Sequence, residues 1–376
     1  MPARRAEEFA EAGIYDPDAP DGAERLELLQ YLDGRGVTLE AMVDAARSGA
    51  LAALASELPL QAPGDALPIE AVASAGATTV DRVRRVRLAA GLPTDLGDPG
   101  HPGLPSSVVE DVVSFEAGAA LFGETATLSF TRVLGAAVAR IAEAAVSVFL
   151  TERLPVLSPE TTELARARAG EDGTATFIAV TPGLMTNLLR EHMTLAIRRS
   201  VAERTLEVDE HAVTVGLGFV DLVGSTPWAS GLTLKEHAMA LGGFEAAAWD
   251  IASAHDGRVV KLIGDEAMFL APTAADAAHI ALELCRAVAI DAALPAARGA
   301  VGYGTVGARD GDYFGPLVNL VARAVKVAEP GSVVITEPVR AALGEPAAGD
   351  SWFDVVELTA QALRGIDEPV RLFALR

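Results

Sequence analysis

The spacing of apolar and polar positions changes character twice along the chain. Residues 24–32 and 39–54 carry apolar side chains at helical spacing, separated by Gly34 and Gly36. Residues 69–75 and 80–88, with a break at Gly76, predict two short helices in a helix-turn-helix-like arrangement. Long apolar-periodic runs follow to about residue 152, with Ser107 and Glu110 at capping-box spacing. A further helix is expected over 182–203, after a stretch broken by Pro and Gly.

From residue 212 the period shortens to that of strands. Residues 213–223 form a Val-, Leu- and Phe-rich run, and residues 258–263 and 267–271 read as a hairpin around Gly264 and Asp265. Residues 298–306 and 333–336 read as further strands. Thr233 with Glu236, and Thr273 with Asp276, cap intervening helices reaching about residues 254 and 290, and 317–328 forms a shorter helix. The order β-α-β-β-α-β predicts an α+β fold, a ferredoxin-like sheet preceded by an all-helical region. The expected organisation is a helical domain over 1–203, a linker over 204–211 and an α+β domain over 212–376. The Pro-, Gly- and Asp-rich stretch 92–105 would divide the first of these.

Composition narrows the classes. Net charge is −22, which argues against nucleic acid or an anionic membrane as a bulk partner. The run Arg82, Arg84, Arg85, Arg87 is the one feature resembling a DNA-reading helix, and its acidic surroundings favour an intramolecular role. The most apolar long stretch, 133–150, is interrupted by Arg140 and Glu143, so no membrane span is expected. The N-terminus lacks the apolar segment of a secretory signal, and the single cysteine, Cys285, fits a reducing cytoplasm.

The candidate chemistry lies in three segments. Asp221 ends an apolar strand and Asp265 sits in a hairpin turn. Taken alone, either aspartate reads more readily as a turn former or an exposed carboxylate. As a pair at the mouths of neighbouring strands they suit hard cations such as Mg²⁺ that bind phosphates and help deprotonate a hydroxyl. Asn319 and Arg323 lie one helical turn apart, an amide able to orient a sugar and a planar cation able to spread charge over a phosphate. Lys261 and Asp312 offer a donor beside an acceptor, the pattern that matches adenine rather than guanine.

The stretches FVDLVGST, GRVVKLIGDEAMF, GDYFGPLVNLVARAVKVAEPGSVVIT and ALRGIDEPVRLFAL stand in order between residues 219 and 375. With them, residues 212–376 resemble the catalytic domain of class III nucleotidyl cyclases. The resemblance implies two divalent ions, Mg²⁺ or Mn²⁺, at Asp221 and Asp265. It implies adenine selection by Lys261 and Asp312, ribose orientation by Asn319 and charge stabilisation at the α-phosphate by Arg323. Arg364 takes the place of a phosphate-binding lysine. It also implies a head-to-tail homodimer with composite sites. The reaction would be attack of the ATP ribose 3′-hydroxyl on the α-phosphorus, releasing pyrophosphate and 3′,5′-cyclic AMP.

The N-terminal half more loosely resembles the regulatory domain of mycobacterial-type soluble cyclases, some of which respond to acid. His192, on the helix leading toward the catalytic zone, and His211, at the junction, are candidate pH-sensing groups. The helical zone also has apolar surface enough for a lipid-like effector. The rival readings are a non-catalytic nucleotide sensor, a helix-turn-helix regulator and, among enzymes, a guanylyl cyclase.

Overall fold

The computed structural model describes residues 2–60, 66–94, 103–153, 161–203, 212–344 and 353–375. The chain divides into two compact units, Met1–Met193 and Thr194–Arg376. The expected linker, 204–211, and with it His211, lies outside the described residues.

All regular structure described in the first unit is helical. One core gathers Phe9, Leu28, Leu29, Leu32, Met42 and Ala167; a second gathers Ile69, Val72, Val83, Leu104, Val108 and Val112. The helix expected over 39–54 stops at Arg47, because Gly49 takes a left-handed φ of 69° and the chain resumes in short turns. The helix Val108–Phe122 forms, but Ser107 makes no side-chain cap, since it is already in the right-handed helical conformation. Leu104, expected in a linker, is buried and bridges Leu67 through a reciprocal backbone pair at 2.7 and 2.8 Å.

The largest departure is the helix Glu163–Glu203, which starts well before 182 and runs through Gly170, Gly173 and Pro182. These residues looked like breakers. The glycines serve packing instead: a Cβ on Gly170 would sit 2.3 Å from Ser56 Oγ, and one on Gly173 would sit 3.2 Å from the Phe149 ring. The Ala-, Arg- and Glu-rich start of this helix supplies propensity enough to carry the chain through them.

The four arginines of Val80–Ala89 are spoken for within the unit. Arg82 pairs with Glu116 and Glu124, Arg85 with Glu124 and Arg84 with Asp81, while Arg87 donates to the Pro93 carbonyl. Among the described residues one helical stretch, Glu124–Glu152, is long and apolar enough by composition to cross a membrane, with mean hydropathy 1.8 and no buried share in its most apolar window. Arg140 and Glu143 both fall within this stretch, which qualifies by length and composition alone.

The second unit is built on one eight-stranded sheet. Its strands are β1 (Ala212–Leu222), β2 (Arg258–Ile263), β3 (Glu266–Ala271), β4 (Ala297–Arg309), β5 (Asp312–Phe314), β6 (Val333–Thr336), β7 (Val355–Glu357) and β8 (Leu372–Leu375). The order is β2-β3-β1-β4-β6-β8-β7, with β5 paired to β4. β1 lies antiparallel between β3 and β4, the centre of the ferredoxin-like arrangement. Alternation along β1 sorts the two faces. Val220 and Leu222 pack toward the helices Leu234–Ala254 and Ala274–Ile290; Val215, Leu217 and Phe219 pack toward Pro316–Ala324. Asp221 has the parity of the second set.

Both helices on the first face start as expected. Thr233 and Glu236 form a full capping box, and Thr273 accepts from the Asp276 amide. The second helix can sit close to β1 because Gly216 lies beneath its start. A Cβ there would come within 2.5 Å of the Thr273 carbonyl oxygen and 2.7 Å of Ala277 Cβ. Gly216→Ala should therefore destabilise the protein by about 1–3 kcal/mol, the usual cost of forcing extra volume into a packed contact. Chemical denaturation of the full chain checks this, and an unchanged midpoint would mean the helix can lift off β1.

Candidate active site

Asp221 is the last residue but one of the buried run that completes β1 and is only 4% exposed. An anion that deep must be met by positive charge. Its neighbours across the sheet are Glu266 on β3 and Arg298 on β4. The Arg298 guanidinium approaches Asp221 Oδ2 through Nε at 3.0 Å and through a terminal nitrogen at 2.9 Å. Its other terminal nitrogen donates to the Lys326 carbonyl at 3.0 Å.

Lys326 lies in the 3₁₀ turn Val325–Val327 that follows Pro316–Ala324. Its Nζ donates to Asp221 Oδ1 at 2.7 Å and to Glu266 Oε2 at 2.8 Å. Partial burial alone would lower this ammonium's pKa, yet the two carboxylate hydrogen bonds outweigh it and raise the value above that of an ordinary lysine.

Asp265 belongs to the β2–β3 turn, where Gly264 takes a φ of 64°. The Leu222 amide donates to the Asp265 carbonyl at 3.1 Å, so Asp265 lies one residue beyond the Asp221–Glu266 rung. The two aspartates thus occupy neighbouring strand ends. No group of three or more His, Cys, Asp or Glu side chains able to hold a metal occurs among the described residues. A pair of carboxylates is what Mg²⁺ ordinarily draws from a protein, with water and substrate phosphates completing its shell. The surroundings of Asp221 already demand cationic partners, so the donor set fits a hard divalent ion.

Lys261 and Asp312 come together in the structure. The Lys261 ammonium sits 2.8 and 2.6 Å from the two Asp312 carboxylate oxygens. Asp312 starts β5, just after a tight turn in which Asp310 and Gly311 both have positive φ. Its partial burial would raise the carboxyl pKa, but the Lys261 hydrogen bond and the Tyr313 amide hold it below the usual value. Asn319 and Arg323 lie on Pro316–Ala324, and Arg323 donates to the Gly365 carbonyl at 3.3 Å, next in the chain to the exposed Arg364. No hydrogen bond or ion pair among the described residues joins Lys261, Asp312, Asn319 or Arg323 to either Asp221 or Asp265. His192 is exposed on Glu163–Glu203.

Sequence reasoning missed Arg298, Lys326 and Glu266. Glu266 adjoins Asp265 in the same motif, and Lys326 follows Arg323 by three residues. Arg298 is marked by nothing but its place opposite Asp221, which appears only once the β1–β4 register is known.

Comparison with known proteins gives a consistent picture. An uncharacterized protein of Mycobacterium tuberculosis (strain ATCC 25618 / H37Rv) is 35% identical over 367 residues, spanning 97% of this chain and 92% of that protein. An adenylate cyclase of Glutamicibacter nicotianae is 38% identical over 152 residues, 40% of this chain and 37% of that one. A pH-sensitive adenylate cyclase of M. tuberculosis (strain CDC 1551 / Oshkosh) is 29% identical over 253 residues, 65% of this chain and 62% of that one. No family model matches the chain.

Replacing Arg298 by Ala would leave Asp221 with a single cationic partner. Thermal unfolding of the full chain should then fall by the equivalent of about 1–3 kcal/mol, the cost of an under-satisfied buried charge. Arg298→Lys should recover only part of it, because an ammonium cannot span both Asp221 and the Lys326 carbonyl. Equal stability of all three proteins would show that Asp221 does not need this partner.

Proposed function

Since this chain belongs to the class III nucleotidyl cyclase family, we propose that it is an adenylyl cyclase, forming 3′,5′-cyclic AMP and pyrophosphate from ATP. The observation that carries the choice of ATP is the Lys261–Asp312 pair. Its partners are already adjacent, presenting a donor beside an acceptor. With Asp312 toward the purine 6-position and Lys261 toward the 1-position, adenine's amino group and ring nitrogen complement the pair, whereas guanine's carbonyl and ring N–H would oppose it. The similarity to relatives named adenylate cyclase points the same way.

In this reading Asp221 and Asp265 hold two divalent ions, Mg²⁺ or Mn²⁺. When bound, these ions neutralise phosphate charge and lower the pKa of the ribose 3′-hydroxyl. Asn319 holds the ribose by its amide, and Arg323 stabilises charge on the α-phosphate as the P–O bond to pyrophosphate breaks and the bond from O3′ forms. Arg364, beside the backbone carbonyl that accepts from Arg323, is assigned to the phosphates. Rate enhancement comes from positioning and charge, with no covalent enzyme intermediate.

In this reading the site is shared between two chains. Two copies paired head to tail, each lending its aspartates to the other's base- and ribose-binding residues, would make two composite sites in a homodimer. We assign residues 1–203 to regulation and 212–376 to catalysis, in a cytoplasmic protein. The likeness to a cyclase named for pH sensitivity makes acid a candidate signal, with His192 and His211 as candidate sensors. A lipid-like effector of the helical region remains part of the same proposal. The internal pairing of Arg82, Arg84 and Arg85 disfavours the DNA-binding alternative.

The test is direct: incubate the full chain with ATP or GTP and Mn²⁺ or Mg²⁺, then identify the product. Cyclic AMP should form from ATP, and Asp221→Ala and Asp265→Ala should each lower turnover by at least about a hundredfold. Lys261→Glu combined with Asp312→Ser should reduce the ATP-over-GTP preference. An unaltered preference removes the base-reading role, and turnover by either aspartate variant at the wild-type rate removes the metal assignment.

A further inference from the structure

The two cations on Asp221 differ in kind. Arg298 is fixed at three points, two on Asp221 Oδ2 and one on the Lys326 carbonyl, and it projects from a central strand. Lys326 holds the other oxygen, Oδ1, by a single ammonium at the end of a flexible stem, and its side chain is 51% exposed. That ammonium is also shared with Glu266, whose side chain is only 13% exposed. Lys326 therefore stands on the solvent side of Asp221, on the oxygen that Arg298 leaves free.

We propose that Lys326 is a displaceable counter-cation, occupying the place where a divalent ion would bind Asp221 and leaving it when that ion arrives. The proposal rests on reading Asp221 as a metal ligand, and it assigns Oδ1 as the ligating oxygen. Three physical points carry it. A carboxylate this buried is costly without positive charge, so the metal-free protein must supply a substitute. An ammonium is a compact charge on rotatable bonds and can exchange quickly, whereas the guanidinium of Arg298, bound as a fork, cannot. Glu266 provides a second anchor at 2.8 Å, so on leaving Asp221 the ammonium stays paired and keeps its charge.

Lys326 is thus a positioning residue, and it has two consequences. It keeps Asp221 satisfied when no ion is bound, and it makes ion binding an exchange between two cations. Glu266 then has a role distinct from metal ligation, as the group that receives the displaced lysine.

Two measurements on the full chain without nucleotide test this: Mn²⁺ titration by calorimetry, and a crystal structure grown with Mn²⁺. Lys326→Met should bind Mn²⁺ about tenfold more tightly than wild type, because one charge-assisted hydrogen bond no longer competes. The same variant should melt at a lower temperature without metal, the gap narrowing as Mn²⁺ saturates. In the wild-type crystal, Lys326 Nζ should have left Asp221 and remain on Glu266. An ion bound at Asp221 with Lys326 still on Oδ1, or an unchanged or weaker affinity in Lys326→Met, overturns the exchange while leaving the metal reading intact. An ion found away from Asp221 and Asp265, or Mn²⁺ affinity unaltered by Asp265→Asn, overturns both.

Discussion

A buried carboxylate at the end of the central strand is the constraint on which the second unit turns. Asp221 continues an apolar strand whose other positions fill the two cores of the sheet, and it carries a charge where the surroundings have little water. Burial of this kind is tolerated only with nearby cations. Three elements are committed to meeting that demand: β4 brings Arg298, the turn after Pro316–Ala324 brings Lys326, and β3 brings Glu266 to hold the lysine. Asp265 stands beside them because β3 runs antiparallel to β1 and the turn preceding it closes next to the same strand end.

The sheet order makes this possible without long connections. Placing β1 between β3 and β4 puts an acidic turn on one side and a basic strand start on the other. The helices Leu234–Ala254 and Ala274–Ile290 cover the opposite face, leaving the face of Asp221 to one short helix and the turn behind it. The same short helix carries Asn319 and Arg323, and the turn that follows it carries Lys326.

Much of this was legible in the sequence where a residue type has one dominant local use. Thr233 and Thr273 announced their helices because a hydroxyl in extended backbone three residues before an acid caps the first turn. The strands β1 to β4 and β6 and the hairpin at Asp265 followed from alternation and turn residues, and Lys261 and Asp312 were paired by their complementary chemistry. What escaped was set by distant contacts. Gly170 and Gly173 looked like interruptions because their value lies in room for Ser56 and Phe149, far away along the chain. Leu104 looked like linker because its partner, Leu67, is equally remote. Ser107 matched a cap by spacing and failed by conformation. Arg298 could be recognised only from strand register, which no local pattern encodes.

The proposed site draws acidic residues from one copy and base- and ribose-binding residues from another. Mixing two separately inactive full-length variants, Asp221→Ala and Asn319→Ala, tests this most directly. Random pairing places one fully intact site in each mixed dimer, so the mixture should regain about a quarter of wild-type cyclase activity, as expected for a two-fold pair with two equivalent sites. A mixture no more active than its components, under conditions where mixed dimers are demonstrably formed, would contradict the composite site.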